Sequence, residues 1–249
     1  SLILQEHFGE NVKIVGEDLF KSKSKSISGI TQTTRLTKRK VTKVINYEIS
    51  NWIWLNHQVI AALAVLVQYR LVRFIPLETN ESAGEYSLLY DKVLLFMRYP
   101  RYIYFIQKKF GNPASLIIEE LLKSGMGLSH SVIIGAYQHL DKKNDGNLKE
   151  LRDSFLDLVS ESYIVQCPEV TDDPVPQLRV NMSDSLRLPD IELKDLKSYI
   201  DKGTGPIDES SDKNYWTVNT DRLHQSFRDK ILIDAIERQI DPNAAECFQ

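Results

Sequence analysis

Hydrophobic residues near the start of the chain recur every three or four positions, which is the spacing of one helical face. The members of that face are Leu4, Phe8, Val12, Val15 and Leu19. The pattern predicts one opening helix, and the Ser- and Lys-rich stretch 21–37 that follows is predicted to be a loop. A second helix is then predicted, with apolar positions at Val41, Val44, Ile45 and Ile49.

The clearest helix of the first half is predicted between Asn56 and Arg70, where Asn56 is a suitable N-cap. Its wide apolar stripe contains Val59, Leu63, Leu66, Val67 and Tyr69. After it, Val72–Ile75 is predicted to be a strand, Asn80–Gly84 a turn and Glu85–Leu88 the returning strand. Three helices followed by a hairpin predict a winged helix, in which a helix-turn-helix carries a β-hairpin beside its last helix.

The second half repeats this plan of three helices and a hairpin. Asn112 is predicted to cap a helix that has Pro113 in its first turn and that Gly125 ends. The next helix is predicted to begin at Ser129 or Ser131, and a third at Asn147, which resembles the start of a capping box.

The strands of the second hairpin are predicted far apart in sequence, at Tyr163–Gln166 and Tyr215–Val218. The residues between them are acidic and contain several prolines, so this stretch is predicted to be a long, mobile excursion from the wing. Asp221 is predicted to cap a last helix, which ends at Asp241–Pro242. Because no module follows for this helix to pack against, we expect the chain to be a fragment.

These elements predict a mainly α fold with small β-hairpins, organised as tandem winged-helix (helix-turn-helix) modules. The predicted boundaries are 1–95 for the first winged helix, 96–112 for a hinge segment, 113–168 with the returning strand 214–219 for the second winged helix, 169–213 for the acidic mobile connector and 220–249 for the truncated start of a third module. A kink is expected at Pro100, which lacks a backbone N–H and biases Tyr99 away from the helical region.

The composition is that of a folded protein, with 249 residues of which 42% are hydrophobic and 26% charged. No apolar run reaches the roughly 20 residues that span a bilayer, so no membrane partner is expected. The N-terminus lacks the basic segment of a secretory signal. Two cysteines, Cys167 and Cys247, are too few for a disulfide scaffold, which favours a reducing compartment.

Charge is distributed unevenly along the chain, although its net value is only −3. No acidic residue occurs between Leu19 and Tyr47, whereas the connector is rich in Asp and Glu. A basic stretch in a winged helix predicts contact with a polyanion, in particular with DNA phosphates; the alternative is a solvated loop. The residues assigned to the DNA backbone are Lys38, Arg39, Lys40 and Lys43, with Arg35 and Arg73 as weaker candidates.

The helix predicted from Asn56 occupies the position of a recognition helix, which reads base edges with polar side chains near its N-terminus. Asn56, His57 and Gln58 are suitable in type. Val59–Val67, however, is almost entirely aliphatic, which favours contact with protein over sequence-specific base reading.

No catalytic or metal-binding constellation is found in the sequence. Asp141–Gly146 resembles a calcium loop, but Lys143 stands where an oxygen ligand belongs and Arg152 where the bidentate Glu should be. Asp221 and His224 lie one helical turn apart without a nucleophile motif, and no Gly-rich phosphate loop occurs. We therefore expect no catalytic residues, no metal and no cofactor.

Seven stretches keep a distinctive order along the chain. They are Leu4–Glu10, Arg98–Tyr104, Glu119–Leu122, Gln166–Pro168, Tyr215–Trp216, Asp221–His224 and Phe227–Asp229. Together they resemble the N-terminal half of the third-largest subunit of eukaryotic RNA polymerase III, from the first residues to about Asp241. The resemblance implies tandem extended winged-helix modules, two of the four expected in the whole subunit.

The resemblance also implies a non-catalytic chain, because the active site of the polymerase and its magnesium ions belong to the two largest subunits. It implies membership of the polymerase III initiation heterotrimer on the clamp side of the enzyme, help in opening the duplex, and a location in the nucleus. The implied partners are the other polymerase III subunits, especially the heterotrimer and the clamp, a transcription factor for initiation, and promoter DNA. From their charge and position, Tyr99, Arg101 and Tyr102 are assigned to packing and clamp contact.

Two other functions remain open at this point. A free-standing winged-helix DNA-binding transcription regulator would need a polar recognition helix and a dimer interface, and the aliphatic helix at 56–70 speaks against it. An enzyme is the third possibility, and for it the isolated chain would have to show turnover.

Overall fold

The computed structural model of the chain describes residues 2–34, 48–77, 80–140, 145–167, 169–170, 178–179, 188–189, 191–202 and 214–241. The chain divides into two compact units, one made of Ser1–Pro100 with Val170–Arg179 and the other of Arg101–Glu169 with Val180–Gln249. The described parts of both units are mainly helical and contain small antiparallel sheets, which confirms the predicted fold class.

The first unit opens with two helices, α1 (Leu2–Phe8) and α2 (Glu10–Ser22), so the prediction of one helix is wrong. Gly9 separates them, because its φ of 88° lies in a region that L side chains rarely adopt. Gly16 leaves space for Leu4 to pack against α2, where a Cβ would collide with the leucine. The apolar spacing continues across the break, which is why the pattern does not reveal it.

Helix α3 (Ile27–Thr34) lies inside the stretch predicted to be a loop, and the prediction is wrong for these residues. Hydroxyl groups within α3 and just before it form hydrogen bonds with the backbone of the helix. Ser26 Oγ accepts from the N–H of Gly29 at the start of the helix, and Thr31 Oγ1 donates to the carbonyl one turn earlier. Ile30 is fully buried. The packing of Ile30 in the core therefore stabilises α3, although its Ser and Thr residues favour turns.

Helix α4 (Glu48–Gln68) begins well before its predicted start. Asn56 is therefore an interior residue and not the N-cap, so that prediction is wrong. The residues of α4 that are buried in the core of the first unit are Val59, Ala62, Leu63 and Leu66. They pack with the apolar faces of the preceding helices, including Val12 and Val15 of α2.

The strands β1 (Val72–Leu77) and β2 (Asn80–Leu88) pair in antiparallel register, with Pro76 opposite Gly84. The predicted returning strand is confirmed, but the turn predicted before it is wrong, because those residues already belong to β2. The ring of Phe74 lies across Gly84, where any Cβ would collide with it. Gly84 is therefore needed for the close approach of the Phe74 ring to the β2 backbone and not for a turn.

Helix α5 (Tyr90–Leu94) leads into a 3₁₀ turn (Leu95–Arg98) and then into α6 (Tyr99–Phe110). The regular α-helix is therefore interrupted just before Pro100. The proline itself lies in the first turn of α6, where a missing N–H removes no intrahelical hydrogen bond.

In the second unit, α7 (Asn112–Ser124) ends as predicted at Gly125, which has a φ of 76°. Its N-cap is Gly111, so the prediction of Asn112 as the cap is wrong. Helix α8 (Ser129–Gln138) begins at the first of the two predicted serines. Helix α9 (Asp145–Ser160) contains Asn147, so the predicted capping box is wrong. The buried core of this unit includes Ile117, Leu121, Ile133, Leu151, Phe155 and Leu158.

A three-stranded antiparallel sheet in the order β3–β7–β4 belongs to this unit, formed by β3 (Gly127–Leu128), β4 (Ile164–Gln166) and β7 (Tyr215–Val218). The predicted pairing of the two distant wing strands is confirmed, since β7 is hydrogen-bonded to β4. Strand β3 was not predicted, because two residues carry no periodicity. Trp216 in the central strand is buried and meets Phe155 edge-on.

The predicted connector contains the short strands β5 (Glu169–Val170) and β6 (Leu178–Arg179) and a helix, α10 (Leu193–Lys202). Leu196 of α10 is fully buried, and the helix packs against α8. A regular element therefore lies inside a stretch whose composition predicts none, and the mobility of the rest stays a prediction.

The last described helix is α11 (Thr220–Gln239). Its N-cap is Asn219, whose side chain accepts a hydrogen bond from the N–H of Arg222, so the prediction of Asp221 as the cap is wrong. Leu223 anchors the helix in the core. Asn and Asp are equally good caps, and the sequence cannot choose between two candidates so close together.

Candidate functional site

The cations assigned to the DNA backbone fall mainly outside the described residues. This holds for Lys38, Arg39, Lys40, Lys43 and Arg35, whose assignment stays a prediction. Arg73 is described and is exposed on β1, opposite Ser87. No ion pair joins it to any other residue of the described ranges. The exposed guanidinium is accessible to an anion at the hairpin.

The hairpin that carries Arg73 is fixed at its base by Lys25. The N–H of Lys25 donates to the carbonyl of Tyr86 at 3.1 Å, and the N–H of Tyr86 donates back at 2.7 Å. Nζ of Lys25 lies 2.8 Å from one carboxylate oxygen of Asp18, and Thr33 donates to the other oxygen at 2.8 Å. These bonds join the hairpin to α2 and α3, so the wing is held in place relative to the helices of the first unit.

Helix α4 occupies the recognition-helix position, yet it carries no Lys, Arg, Asp or Glu after Glu48. Over residues 58–68, whose side chains the structure describes, the solvent side of α4 carries the polar Gln68 but is otherwise apolar: Ile60 and Val67 are 48% and 47% exposed, and Ala61 and Ala64 are exposed as well. Base reading needs donors and acceptors, and phosphate contact needs cations. These four side chains offer neither.

A groove of about 490 Å³ runs beside this side of α4, next to the first two helices. Its lining residues are Phe8, Asn11, Val12, Gln58, Ala61, Ala62 and Val65. All are apolar except for two neutral amides, Asn11 and Gln58. The groove therefore suits an uncharged, apolar group, with hydrogen bonding available from the amides.

The three residues assigned to packing and clamp contact have different environments. Tyr99 is half-buried, with its ring centre 4.7 Å from that of Phe96 in the first unit. In the second unit, Arg101 is exposed, and its guanidinium carbon lies 4.6 Å from the ring centre of Phe227. Tyr102 is fully buried. All three side chains thus pack on other residues of the chain, and clamp contact stays a prediction.

Tyr102 joins α6 to α11 through a partner that the sequence analysis missed. Its hydroxyl lies 2.6 Å from Nε2 of His224, and its ring stacks on Phe227 with the centres 6.0 Å apart. Phe105 meets the same ring edge-on at 5.0 Å. Both helices carry aromatic rings at i and i+3, and this matching spacing is the signal that could have indicated their pairing.

A second polar cluster surrounds Tyr163. Nζ of Lys109 lies 2.7 Å from Glu161 and 3.3 Å from the hydroxyl of Tyr163, which in turn is 2.9 Å from Oγ of Ser226. The guanidinium of Arg222 lies 5.6 Å from the tyrosine ring centre. Burial alone would lower the pKa of Lys109, but the hydrogen bonds to Glu161 and Tyr163 outweigh it and raise that pKa above its ordinary value. The cluster therefore keeps its lysine charged and ties α6, β4 and α11 together.

In the part of the chain that the structure describes, no group of three or more His, Cys, Asp or Glu residues could hold a metal ion. None of the helices placed there has the length and apolar character needed to cross a membrane. The start of the calcium-like loop, 141–144, lies outside the described residues. The features that stand out are the hairpin with Arg73, the apolar side of α4 and the contact between α6 and α11.

Comparison with known proteins shows which kind of winged-helix protein the chain resembles. One family model, described as the RNA polymerase III subunit RPC82 helix-turn-helix domain, matches residues 1–46, and another, described as RNA polymerase III subunit RPC82, matches residues 176–249. The DNA-directed RNA polymerase III subunit RPC3 of Mus musculus and that of Homo sapiens are each 29% identical over 99% of the chain. The chain is similar to the RPC3/RPC82 subunits of RNA polymerase III. The Danio rerio member of the RPC3/RPC82 family is 27% identical over 98% of the chain.

The similarity to RPC3/RPC82 subunits confirms the resemblance found in the sequence. The match to a helix-turn-helix domain agrees with the winged-helix fold of the described residues. The relatives are named as polymerase subunits, in agreement with the expectation of a chain that is not an enzyme by itself. The chain spans about half the length of the relatives it matches, namely 48% of each.

Proposed function

We propose that the chain works as a binding scaffold in RNA polymerase III, as a non-catalytic subunit of the initiation heterotrimer. The observation that carries this proposal is the apolar solvent side of α4 in the recognition-helix position. A helix that is apolar on most of its surface packs against protein and is poorly suited to reading bases. The similarity to RPC3/RPC82 subunits supports the choice of polymerase III as the assembly.

Promoter DNA is contacted, in this proposal, through its phosphates. The exposed Arg73 on the hairpin and the basic stretch with Lys38, Arg39, Lys40 and Lys43 would supply the cations. Contacts of this kind position a protein on DNA but carry no sequence information. They suit a subunit that helps to open the duplex and contacts the initiation factor while another protein selects the promoter.

Purification of the tagged full-length protein from nuclear extract, followed by mass spectrometry, tests the assembly. The expected result is recovery of the other polymerase III subunits in amounts comparable to the bait. A bait that returns alone, or with subunits of a different polymerase, would overturn the proposal. Fluorescence microscopy of the same tagged protein tests the proposed nuclear location.

A free-standing winged-helix regulator is the second candidate, and the observation in its favour is the exposed Arg73 on the wing. Such a regulator would protect a defined DNA sequence in a footprint and would sediment as a dimer without other proteins. Equal protection of unrelated sequences would exclude it.

A further inference from the structure

The two units have the same order of elements, which identifies the counterpart of α4 in the second unit. In the first unit, Lys25 lies between α2 and α3 and forms an antiparallel bridge with Tyr86 of β2. In the second unit, β3 lies between α7 and α8 and pairs with β7. In both units one more helix follows and leads into the wing, since α4 precedes β1 and α9 precedes β4. Helix α9 is therefore in the recognition-helix position of the second winged helix.

The solvent side of α9 carries carboxylates. Leu151 and Phe155 are fully buried and mark the side of the helix that faces the core. Glu150, Asp153 and Asp157 have the i, i+3 and i+7 spacing of a single helical side, and they lie opposite the buried residues. Glu150 and Asp157 are exposed, and the side chain of Asp153 is 47% exposed. We call these three carboxylates the α9 acidic row.

The cations of α9 compensate the acidic row only in part. Lys149 and Arg152 are the two basic residues of the helix. The guanidinium of Arg152 lies 2.7 Å from Oδ1 of Asp153, so one carboxylate of the row has a close positive partner. Among the residues that the structure describes, the ion pairs involve neither Glu150 nor Asp157. The solvent side of α9 therefore has a negative potential.

We propose that the α9 acidic row excludes nucleic acid from the helix-turn-helix of the second unit, so that the chain contacts duplex DNA through its first unit only. The inference rests on the DNA contact proposed above and adds a division of roles between the two winged helices.

The position of the row explains why it would exclude DNA. A recognition helix enters the major groove with its solvent side toward the base edges, between two strands of phosphates. Carboxylates on that side would lose hydration as the helix enters, and they would be repelled by phosphates within the Debye length of roughly 10 Å at 0.1 M salt. A carboxylate can accept a hydrogen bond from a cytosine amino group, but phosphate contacts must hold the helix in place. For these, α9 offers Lys149 and the Asp153-bound Arg152.

The wing of the second unit has the same bias of charge. Its strands β4 and β7 are joined by residues 167–214, which contain 11 Asp and Glu but only 6 Lys and Arg. Both ends of this stretch are fixed at the sheet of the second unit, and β4 in that sheet packs against α9. The excess of negative charge therefore disfavours DNA at the wing as well as at the helix.

Site-specific photo-crosslinking to a duplex of promoter DNA tests the exclusion, with the full-length protein in the complex with which it purifies. A benzophenone amino acid replaces either Ser160 at the end of α9 or Ile75 on the wing of the first unit, both of which are exposed. The expected result is a DNA crosslink from position 75 and a yield about tenfold lower from position 160. A yield from position 160 that equals the yield from position 75 would overturn the inference.

Removing the charge of the row should open this side of α9 to DNA. The combined substitutions Glu150→Gln, Asp153→Asn and Asp157→Asn keep the size of each side chain, and a circular dichroism melt verifies the fold. The DNA crosslink from position 160 should rise by about threefold or more at low salt, and the rise should shrink as added salt screens the repulsion. Should the triple variant melt early, Glu150→Gln with Asp157→Asn is the milder test, because it keeps the bond between Arg152 and Asp153.

A matched control separates the row from total charge. Three exposed acids elsewhere are neutralised in the same way, by Glu6→Gln, Asp229→Asn and Glu237→Gln. This control variant should leave the crosslink from position 160 at its wild-type yield. If the row variant crosslinks no more DNA from position 160 than the control variant does, the acidic row is not what excludes DNA, and the inference is wrong.

The outcomes also distinguish the inference from the proposed function. If position 75 gives no DNA crosslink, the contact proposed for the wing of the first unit is wrong, and the row variant still decides the role of α9. If position 75 crosslinks DNA and the row variant shows no gain at position 160, only the role of the α9 acidic row is wrong.

Discussion

The hydroxyl of Tyr102 lies 2.6 Å from Nε2 of His224, and these two residues are 122 positions apart in sequence. The bond connects α6 with α11 in the second unit. Phe227, one turn after the histidine, stacks against the same tyrosine ring. Polar and aromatic contacts thus converge on one buried side chain at the helix pair.

Replacing Tyr102 by Phe should destabilise the protein by about 1 kcal/mol, because the ring is kept while a largely buried hydrogen bond is lost. Urea unfolding followed by circular dichroism measures the change. Tyr104→Phe is the matched control, since Tyr104 is 65% exposed and should lose almost nothing. Equal stability of the two variants would show that the bond to His224 contributes nothing measurable.

Replacing two glycines by alanine should change the stability of the protein in opposite directions. Gly9→Ala should cost more than about 1 kcal/mol, because the φ of 88° is strained for a side chain although nothing lies near the added Cβ. Gly29→Ala should stabilise by roughly 0.5–1 kcal/mol, because Gly29 lies within α3 and its Cβ would make only ordinary contacts. Thermal unfolding of both variants tests the pair, and a Gly9→Ala variant as stable as the wild type would contradict the described break between α1 and α2.

The basic stretch should govern binding to duplex DNA. Replacing Lys38, Arg39, Lys40 and Lys43 with Ala should weaken binding and reduce the slope of log K against log salt by up to ~3.6, at about 0.9 per lost phosphate contact. Fluorescence anisotropy over a range of salt concentrations gives this slope.

The matched control for the basic stretch removes the same number of cations elsewhere. Lys92, Lys149, Lys194 and Lys230 are all exposed, so their replacement by Ala gives the same net charge. This variant should keep the wild-type slope. If both variants flatten the slope equally, the effect comes from total charge, and the assignment of the stretch is wrong.

The ion pair of Lys109 and Glu161 should make a small, pH-dependent contribution to the free energy of unfolding. Both side chains are about 40% exposed, so Glu161→Gln should cost about 0.5 kcal/mol or less at pH 7. The folded-state pKa of Lys109 is raised above 10.5, and this stabilisation is therefore complete below the unfolded-state pKa and lost as pH rises through the folded value. Urea titrations should show the difference from wild type shrinking at high pH.

Glu119→Gln is the reference for that experiment, because it removes the partner of Lys123 inside the single helix α7. An i, i+4 pair of this kind does not join separate elements, and its loss should be at most a few tenths of a kcal/mol. A Glu161→Gln effect that stays constant across the alkaline range would contradict the link to the protonation of Lys109.

Elements with strong internal signals could be predicted from the sequence. Helix α7 was found because its apolar spacing ends at a glycine with positive φ, and the distant wing strands were found because each is β-branched or aromatic at most positions. Helix α3 could not be found in this way, since its Ser and Thr residues favour turns until Ile30 is buried. Helix α10 does have helical apolar spacing, at Leu193, Leu196 and Ile200, but the acidic composition of its surroundings indicated a connector instead.

The candidate surfaces were predictable only where one stretch of sequence makes them. The aliphatic character of α4 is visible in its own residues, and the preference for protein contact followed from it. The pairing of Tyr102 with His224 depends on how two remote helices pack, which local spacing does not encode. The same holds for Lys25, whose backbone pairing with Tyr86 arises from the tertiary fold of the first unit.

The pairing of Lys25 with Tyr86 has a consequence for self-association. It occupies a donor and an acceptor on the outer edge of β2, and on β1 Pro76 has no N–H to offer. A strand from another molecule would therefore meet an obstacle on either side of the wing. The hairpin is thus protected against edge-to-edge strand pairing between molecules, a useful property for a small exposed sheet on a helical protein.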